Sequence, residues 1–429
     1  MKKIFLILIP FHAVVSFAQI AEIGKPLPKW EKGYLDLHHI NTGRGNAAFF
    51  VFPDGTTMLT DAGENSVDDP RTLSKRNTVI RPNASKQPYQ WIAGYIAQTA
   101  PLKEKTALDY ALITHFHGDH YGNWHKAAPG SKSKKYVLTG VCGVGSLLPI
   151  HTLLTRDYNY PVSMSAVFKN YKQESGVVKT WENYLAFVKE QKEHGLAEQF
   201  LKAGSKTQIH LTKDRQAFPE FFVQNVKSNG EIWTGKDSLV FQHFPPIDID
   251  NKETWPDENS LSNVVLIRYG AFSYYTGGDC PGNVFLGDPP WRDVETPVAK
   301  AVGETDVATM DHHGNRDAVN EFQVKTLKPR VWIEQVWTAD HPGHEVLIRI
   351  ASPHLYKEPR DIFATNMTEA NELVIGPMID EWYKSKQGHI LVRVMPGGKN
   401  YYVIILDDAK ETLAVKNVFG PYISKTPSR

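Results

Sequence analysis

The sequence predicts an α/β (α+β) fold of the αββα sandwich type, in which two β-sheets pack face to face and helices cover their outer surfaces. Three observations predict this fold. Short apolar runs with strand character recur along nearly the whole chain, and stretches with helical spacing separate them. Residues with the chemistry of metal ligands follow the ends of several of these runs. The same order of strands, helix and strands occurs twice along the chain.

Residues 1–18 predict a secretory signal peptide. Lys2 and Lys3 precede an apolar run at 4–15, and small residues follow that run. This pattern is typical of a signal that is cut after Ala18, so the protein is expected to be exported, to the periplasm or the medium. An uncleaved membrane anchor is the alternative. No later segment approaches about 18 unbroken apolar residues, so no membrane span is expected after cleavage.

The rest of the chain, residues 19–429, is predicted to be one catalytic domain that carries additional segments. Hydrophobic residues make up 41% of the sequence and aromatic residues 11%, as in an ordinary globular protein. The formal net charge is +1, which gives no electrostatic argument for nucleic acid or a membrane surface as a partner. The two cysteines, Cys142 and Cys280, are too few for a disulfide framework, and their pairing is left open.

The first part of this chain predicts strands joined by tight turns, and then a helix and a strand. The predicted elements are half-buried strand 34–40, glycine turn 43–46, strand 47–52, hairpin turn 53–55, strand 57–60, helix 89–100 and strand 110–113. The third of these strands ends at Asp61-Ala62-Gly63, a carboxylate followed by glycine.

The middle of the chain predicts a helical insertion or lid at about 156–205, beside the expected site. Apolar residues with helical spacing run through 177–188, and Gly195 is expected to end or kink this helix. The aromatic residues of this segment, with Trp255 and Trp291, are candidates to line a substrate groove. Ordinary packing explains them equally well.

The second half predicts alternating strands and helices. The predicted elements are hairpin strands 221–226 and 231–234, strands 264–269, 271–275, 306–310 and 329–333, helix 345–351, strand 361–365 and hairpin strands 388–395 and 401–406. These elements supply the second sheet and the outer helices of the sandwich.

The stretch at 114–120, with the sequence THFHGDH, is the strongest functional signal in the chain. It places three imidazoles and a carboxylate directly after a predicted strand. The candidate ligands are His115, His117, Asp119 and His120. Imidazole and carboxylate together suit zinc and similar divalent ions. A solvated polar turn without metal is the alternative interpretation.

Two later strand ends carry the same chemistry. Asp279 follows two glycines, which allow the backbone to approach a ligand closely. His312 and His313 follow another predicted strand. Because sites in α/β proteins are commonly built from strand ends, these residues are expected to converge with the turn at 114–120. In isolation, Asp279 is equally well explained as an ordinary turn residue.

Six further motifs occur in order along the chain: Gly43-Arg44-Gly45-Asn46-Ala47, Asp61-Ala62-Gly63, Asn259-Ser260-Leu261-Ser262, Thr276-Gly277-Gly278-Asp279, His312-His313-Gly314-Asn315 and His341-Pro342. With the His-x-His-x-Asp-His stretch, they resemble the metallo-β-lactamase fold superfamily. The branch they resemble is the hydrolase domain of ComEC-type competence proteins and its stand-alone relatives. The resemblance extends from about residue 34 to about residue 406.

The resemblance implies a centre with two divalent metal ions, zinc by preference and manganese as the alternative. The implied ligands are His115 and His117 for one ion, Asp119, His120 and His313 for the other, and Asp279 as the bridge. Asp119 and His312 are the implied catalytic residues, with His312 touching substrate or donating a proton to the leaving group. The implied orienting or substrate-contacting residues are Asp61, Arg44, Asn259, Ser262 and His341. A salt-bridged arginine and a capping histidine are equally good interpretations of Arg44 and His341.

The chain departs from the family pattern at two places. Many members carry an extra histidine before the bridging aspartate that completes the first metal site, and no convincing candidate is present here. His210 and His243 lie within strand-like runs and are expected to be structural. Arg44 and Asn46 replace the glutamine and aspartate expected at the glycine turn.

The sequence therefore predicts an exported metal-dependent hydrolase that acts through metal-activated water. A phosphodiester or another phosphate ester, small or polymeric, is the preferred substrate, and nucleic acid is allowed by the resemblance but not supported by charge. The alternatives left open are a lactone, β-lactam or amide hydrolase of the same fold and a catalytically silent metal-binding domain.

Overall fold

Two nine-stranded β-sheets pack face to face, and helices cover the outer face of each sheet. The computed structural model describes residues 20–101, 107–283 and 287–425. The predicted signal peptide at 1–18 lies outside these residues. The two mixed sheets and their helices confirm the αββα sandwich predicted from the sequence.

The chain builds the first sheet, then the second, and finally returns to the first. The first strands are β1 (Leu35–His39), β2 (Ala48–Val51), β3 (Thr57–Thr60), β4 (Leu108–Leu112), β5 (Ile150–Thr155) and β6 (Ala197–Phe200). The second sheet contains β7 (Phe221–Ser228), β8 (Glu231–Trp233), β9 (Val240–Gln242), β10 (Val264–Tyr269), β11 (Phe272–Thr276), β12 (Val307–Thr309), β13 (Val331–Glu334), β14 (Asp361–Ala364) and β15 (Tyr383–Ser385). The returning strands are β16 (His389–Val394), β17 (Asn400–Leu406) and β18 (Val415–Ile423).

The helices lie mainly in the connections between parallel strands. They are α1 (Pro88–Thr99), α2 (Gly118–Tyr121), α3 (Gly140–Leu147), α4 (Met164–Phe168), α5 (Gly176–Glu193), α6 (Glu295–Val302), α7 (Glu321–Leu327), α8 (His344–Ala351), α9 (Glu369–Ile375) and α10 (Pro377–Trp382). The α1 helix begins at a proline, which lacks only an N–H group that would be unpaired there. The hydroxyl of Ser175 caps α5 by accepting from the backbone N–H of Val178.

Each sheet has a parallel half, and these halves position the site. Their orders are β18-β17-β16-β1-β2-β3-β4-β5-β6 and β15-β14-β13-β12-β11-β10-β7-β8-β9. Strands β3 to β6 are parallel, as are β11 to β15, and the other pairs are antiparallel. Parallel strands bring their carboxyl ends to one edge of a sheet, where ligands bind in open α/β folds. Residues that follow β3, β4, β11 and β12 therefore lie close together.

Three apolar layers hold the sandwich together. The layer between the sheets includes Leu37 and Phe50 from the first sheet and Val265 and Ile267 from the second. The outer face of the first sheet packs on α1, α3 and α5, and that of the second packs on α6, α7 and α8. All five residues of β1 are buried. The strand predicted to be half-buried is therefore fully buried, because both faces of its sheet are covered.

The segment at 156–205, predicted to be a helical insertion or lid, contains α4, α5 and β6. Trp181, Tyr184 and Phe187 of α5 are buried in the layer outside the first sheet. Strand β6 pairs in parallel with β5 and forms the edge of that sheet. The segment is thus integrated into the first layer, and its movement as a lid stays a prediction.

Cys142 and Cys280 are both buried and free. Among the helices that the structure describes, none combines the length and apolar character needed to cross a membrane.

Candidate metal centre

Candidate ligands from three strand ends meet at one edge of the sandwich, after β4, β11 and β12. They form two groups in which the candidate ligand atoms lie within 4.8 Å of one another. The first group is Asp119, His120, Asp279 and His313, and the second is His115, His117 and Asp279. The structure therefore brings together all six residues expected as ligands, and it places Asp279 in both groups.

Short contacts hold the first group together. His120 Nε2 lies 3.0 Å from Asp279 Oδ1 and 3.3 Å from His313 Nε2. His313 Nε2 lies 3.2 Å from Asp119 Oδ2 and 3.6 Å from Asp279 Oδ2. Two imidazole nitrogens and two carboxylates thus face one point inside the protein.

The Nδ1 atoms of His120 and His313 each donate a hydrogen bond to an oxygen atom outside the two ligand groups. His120 Nδ1 donates to Asp61 Oδ2 at 2.8 Å, and His313 Nδ1 donates to the carbonyl oxygen of Gln335 at 2.9 Å. Since neither acceptor carries a proton to give, both rings are protonated at Nδ1. The Nε2 lone pairs then face each other unless a proton or a metal ion lies between them, and that of His313 also accepts a long bond from Trp337 Nε1 at 3.4 Å. This is the tautomer in which histidine binds a metal through Nε2.

The second group has three candidate ligands rather than four. His115 Nε2 lies 3.1 Å from His117 Nδ1 and 3.7 Å from Asp279 Oδ2. His115 is buried, whereas His117 is exposed on the open side. His210 and His243 are bonded to main-chain carbonyl oxygens elsewhere. Within the described residues, no further histidine belongs to this group.

The charges of the centre favour a cation. Burial lowers the pKa of His120, but the carboxylates of Asp279, Asp61 and Asp119 outweigh burial and raise that pKa well above its usual value. Burial raises the pKa of Asp279, but the neighbouring histidines, His120 foremost, outweigh burial and hold that pKa well below its usual range. Asp279 Oδ1 is buried, and His120 Nε2 lies 3.0 Å from it. The imidazole and carboxylate donors and the carboxylate shared by both groups fit two divalent metal ions.

Three residues of the centre have left-handed backbone conformations. The φ angle is 59° at Asp61, 44° at His312 and 56° at His313. Such conformations cost about 1–3 kcal/mol each for residues other than glycine, and they concentrate at functional sites. The N–H of His312 donates to the carbonyl oxygen of Gly278 at 3.0 Å. This bond joins the turn after β12 to the turn that carries Asp279.

Asp61 fixes the ligand turn after β4 from behind. Its Oδ1 accepts from the N–H of Thr114 at 2.8 Å, and its Oδ2 accepts from Thr114 Oγ1 and His120 Nδ1, each at 2.8 Å. Asp61 therefore contacts His120, a candidate ligand, in the way expected of a residue that orients a ligand histidine.

The glycine turn at 43–46 also supports the ligand turn. A side chain at Gly45 or at Gly63 would overlap the backbone of Asp119. The carbonyl oxygen of Asp119 accepts from the N–H of Asn46 at 2.7 Å. Glycine is required here because two backbone segments approach each other closely.

Arg44 occupies a structural position, which is the alternative to contact with substrate. Its side chain is buried and donates to the carbonyl oxygens of Gly43 and Thr78. Its own carbonyl oxygen accepts from the N–H of Asn65 at 2.9 Å. The guanidinium thus fixes the loop beside the centre through Nη1, whereas its Nε is buried without a hydrogen-bond partner.

His312 lies beside the centre and belongs to neither ligand group. Its Nδ1 lies 2.7 Å from Asp317 Oδ1, and its Nε2 lies 3.3 Å from Asn259 Nδ2 and 3.8 Å from Asp279 Oδ2. Burial lowers the pKa of His312, but Asp279 and Asp317 outweigh burial and raise that pKa to about 9. Asn259 therefore contacts His312, the residue expected to donate a proton.

Ser262 holds the shared carboxylate through the backbone. Its Oγ accepts from the N–H of Asp279 at 3.2 Å. Its carbonyl oxygen and that of Ser260 accept from the buried Lys227 Nζ, at 2.9 and 2.7 Å. Ser262 thus positions Asp279, and the buried lysine in turn fixes Ser262.

His341 packs behind a ligand. Its ring is stacked on that of His313, with centroids 4.6 Å apart and an interplanar angle of 15°. The ring of Trp337 meets His341 edge to face at 5.3 Å. His341 is only 2% exposed. It therefore supports the ligand ring of His313, and little of its surface is open to a substrate.

A partly buried ion pair that was not predicted from the sequence holds the segment between His115 and His117; its side chains, Arg156 and Glu258, are 2% and 19% exposed. The Glu258 carboxylate accepts from the N–H of Phe116 at 2.8 Å. It also accepts from Arg156 Nε at 2.7 Å and from Arg156 Nη2 at 2.5 Å. Arg156 directly follows β5, and Glu258 directly precedes the Asn259 motif. The signal for Arg156, a charged residue directly after a strand, depends on recognising β5 in the sequence.

The centre opens on two sides. A cleft of about 410 Å³ lies over Asp119, His312 and His313, and Arg71 and Arg76 lie among its lining residues. A groove of about 400 Å³ lies on the side of His117. We call these the polar cleft and the apolar groove.

No family model and no curated protein matches this chain. Among solved structures, a proposed metal-dependent hydrolase from Parabacteroides distasonis ATCC 8503 is similar, with 11% identity and a TM-score of 0.34, over 77% of this chain and 92% of that chain. The metallo-β-lactamase fold protein YhfI from Bacillus subtilis matches with 9% identity and a TM-score of 0.30, over 82% and 95% of the two chains. CmlA, a diiron β-hydroxylase from Streptomyces venezuelae, matches with 13% identity and a TM-score of 0.33, over 86% and 55%. These values are too low to transfer a metal or a reaction to this chain.

Proposed function

We propose that this protein is a metal-dependent hydrolase of the metallo-β-lactamase fold, with a centre for two divalent ions, zinc by preference and manganese as the alternative. The observation that carries the proposal is the position of Asp279, whose carboxylate belongs to both ligand groups. A protein that only binds one ion needs no shared carboxylate. Divalent ions held in this way supply Lewis-acid activation of water and neutralise charge that develops on the substrate.

The residues around the ligands orient them and hold a proton. Asp61 and the carbonyl of Gln335 fix the tautomers of His120 and His313. His312 is bonded to Asp317 through Nδ1 and lines the polar cleft. In this position His312 can give a proton to a leaving group that lies in the cleft.

We assign a phosphodiester or another phosphate ester, small or polymeric, as the preferred substrate. The motifs similar to the ComEC-type branch support this class. The guanidinium groups of Arg71 and Arg76 at the polar cleft also support it, because guanidinium binds phosphate oxygens well. Both are paired with surface carboxylates, Asp69 and Asp340, and exposed pairs of this kind are weak enough to exchange partners. The formal charge of +1 gives no support to nucleic acid as the substrate.

We also propose that the protein acts outside the cytoplasm, in the periplasm or the medium. The signal-like sequence at 1–18 supports this location. N-terminal sequencing of the protein from its native source tests it. A chain that begins at residue 19 is expected, and an intact N-terminus in the cytoplasmic fraction would contradict export.

Hydrolysis assays with and without a chelator test the enzymatic proposal. Bis(p-nitrophenyl) phosphate is expected to be cleaved, with activity lost on chelation and restored by added zinc or manganese. Cleavage of the β-lactam nitrocefin alone would move the assignment to the lactone, β-lactam or amide alternative. Turnover that survives complete removal of metal would overturn the proposal.

A further inference from the structure

We infer that the apolar groove beside His117 binds an uncharged alkyl or aromatic group of a ligand whose anionic part lies at the centre. The inference rests on the proposed function, under which this ligand is the substrate. It names the substrate more closely, as a phosphate ester with one apolar substituent.

The apolar groove is continuous with the centre. His117 lines the groove and also belongs to the second ligand group. The groove has a volume of about 400 Å³, which lies in the range of about 300–1,000 Å³ typical of small-molecule sites. A substituent in the groove would therefore lie directly beside the group held at the centre.

The walls of the groove are apolar and aromatic. Helix α4 and the turn after it contribute Val167, Phe168 and Tyr171, and Trp255 contributes a further ring. Phe168 and Tyr171 meet edge to face, with ring centroids 5.5 Å apart. Trp255 Nε1 already donates to the carbonyl oxygen of Asp248 at 2.9 Å, so the indole offers apolar surface to the groove. Tyr171 is 48% exposed, which leaves its ring open to a ligand.

The charges that line the groove neutralise each other. Besides its two bonds to Glu258, Arg156 donates through Nη1 to the carbonyl oxygens of Asp157 and Tyr160, at 3.1 and 3.3 Å. Its Nη2 also lies 3.2 Å from Met164 Sδ. All five N–H groups of the buried guanidinium are thus engaged. The groove therefore offers no free cation to an anion and selects an uncharged group.

The polar cleft on the other side of the centre has the opposite character. The side chains of Arg71 and Arg76 there are 88% and 59% exposed. Asparagines and His312 line the same cleft. A ligand that spans the centre therefore places its apolar substituent toward His117 and its polar part toward His312.

Binding of two phosphonates tests the inference without turnover. Phenylphosphonate and methylphosphonate are titrated into the zinc-loaded protein by isothermal calorimetry. Burial of the ring predicts that phenylphosphonate binds at least about tenfold more tightly. Val167→Asp, which places a charge in the groove, is expected to remove this preference. Tyr171→Ser provides a second variant, at a side chain exposed enough to leave folding intact. Leu373→Asp is the control, because Leu373 on α9 is 77% exposed and lies outside the groove.

Equal affinity for the two phosphonates in the wild type, or a preference that survives in both groove variants, would overturn the inference. A preference for phenylphosphonate without hydrolysis of any ester would support the groove and contradict the proposed function. Sedimentation velocity provides a further check on the occupant. A dimer that dissociates in Val167→Asp would assign the groove to a second copy of this chain and would also overturn the inference.

Discussion

His120 Nε2 and His313 Nε2 face each other at 3.3 Å, although each ring already donates through Nδ1 to an acceptor that has no proton to return. Two lone pairs at this distance repel each other unless positive charge lies between them. The carboxylates of Asp119 and Asp279 lie against the same nitrogens. The arrangement is therefore stable as a cation site, and it depends on the residues that fix the two tautomers.

Asp61→Asn is expected to weaken metal binding by about 10- to 100-fold, as changes to residues that orient metal ligands typically do. The amide nitrogen of asparagine would donate to His120 Nδ1 and shift the ring proton to Nε2, where it blocks the metal. Asparagine tolerates the left-handed backbone at this position, so folding should persist. Competition with a chromophoric chelator measures the affinity.

Asp109→Asn is the matched control for this variant. Asp109 Oδ2 accepts from the N–H of Thr57 at 2.8 Å, between β3 and β4 and outside both ligand groups. Its metal affinity should equal that of the wild type. If Asp61→Asn also has wild-type metal affinity, the tautomer of His120 does not control metal binding.

Asp279→Asn is expected to reduce the metal content and to lower kcat/KM by at least about a hundredfold, because one carboxylate serves both ligand groups. Asp317→Asn should keep its metal and lose activity, since Asp317 contacts His312 and none of the ligand atoms in either group. Elemental analysis and steady-state kinetics separate the two effects. Asp279→Asn protein with full metal content would remove Asp279 from the centre.

The candidate ligands could be recognised in the sequence because their chemistry and spacing are local. The six candidate ligands occur in short motifs, and each motif directly follows a strand with a clear apolar pattern. The roles of Arg44, Ser262 and His341 were harder to predict, because they depend on contacts with residues far away in the chain. Arg44 bonds to Thr78, and His341 packs on His313. Spacing alone does not show such partners.

The strands that were not predicted have a common physical reason. They are β5, β6, β9, β15 and β18; four of them are the edge strands of the two sheets, and β5 lies beside the edge strand β6. The three residues of β9 are all exposed, and exposed and buried positions are mixed along β18. Edge strands need not alternate between a buried and a solvated face, so the sequence carries little period-two signal there. Arg156 was missed for the same reason, since it follows the unrecognised β5.

Arg156→Met is expected to destabilise the fold by about 1–3 kcal/mol, because it leaves the partly buried Glu258 carboxylate without its charged partner. The double variant Arg156→Met/Glu258→Leu should be less destabilised than the single variant. Urea unfolding measures both free energies. Lys32→Met is the control, since the side chains of the Lys32–Asp214 pair are 59% and 41% exposed and such pairs contribute about 0–1 kcal/mol. Destabilisation no greater than in this control would contradict a stabilising role for the Arg156–Glu258 pair.

Glu334 predicts a pH dependence of stability. Burial raises the pKa of Glu334 to about 8, while its bond from Tyr383 Oη at 2.5 Å lowers it in part. The folded protein keeps a proton that the unfolded chain loses near the ordinary pKa of 4.5. The stabilisation is therefore complete below that pH and is lost as the pH rises through about 8.

Comparison with Glu334→Gln isolates this effect. The free energy of unfolding of the wild type, relative to that of Glu334→Gln, should fall as the pH rises from about 5 to about 8. Metal binding changes the free energy of unfolding of both proteins equally, so its effect cancels in the difference. Glu182→Gln, on the exposed face of α5, should show no such trend. A constant difference between wild type and Glu334→Gln would contradict the buried proton.

Zinc stoichiometry of the chelator-stripped wild-type protein, measured by calorimetric titration with a parallel assay on bis(p-nitrophenyl) phosphate, tests the shared centre most directly. We expect two ions per chain, the tighter at the four-ligand group and the weaker at the group of His115, His117 and Asp279. Activity should increase as the weaker group fills. Fewer than two ions per chain, or full activity in the metal-free protein, would contradict a centre built around Asp279.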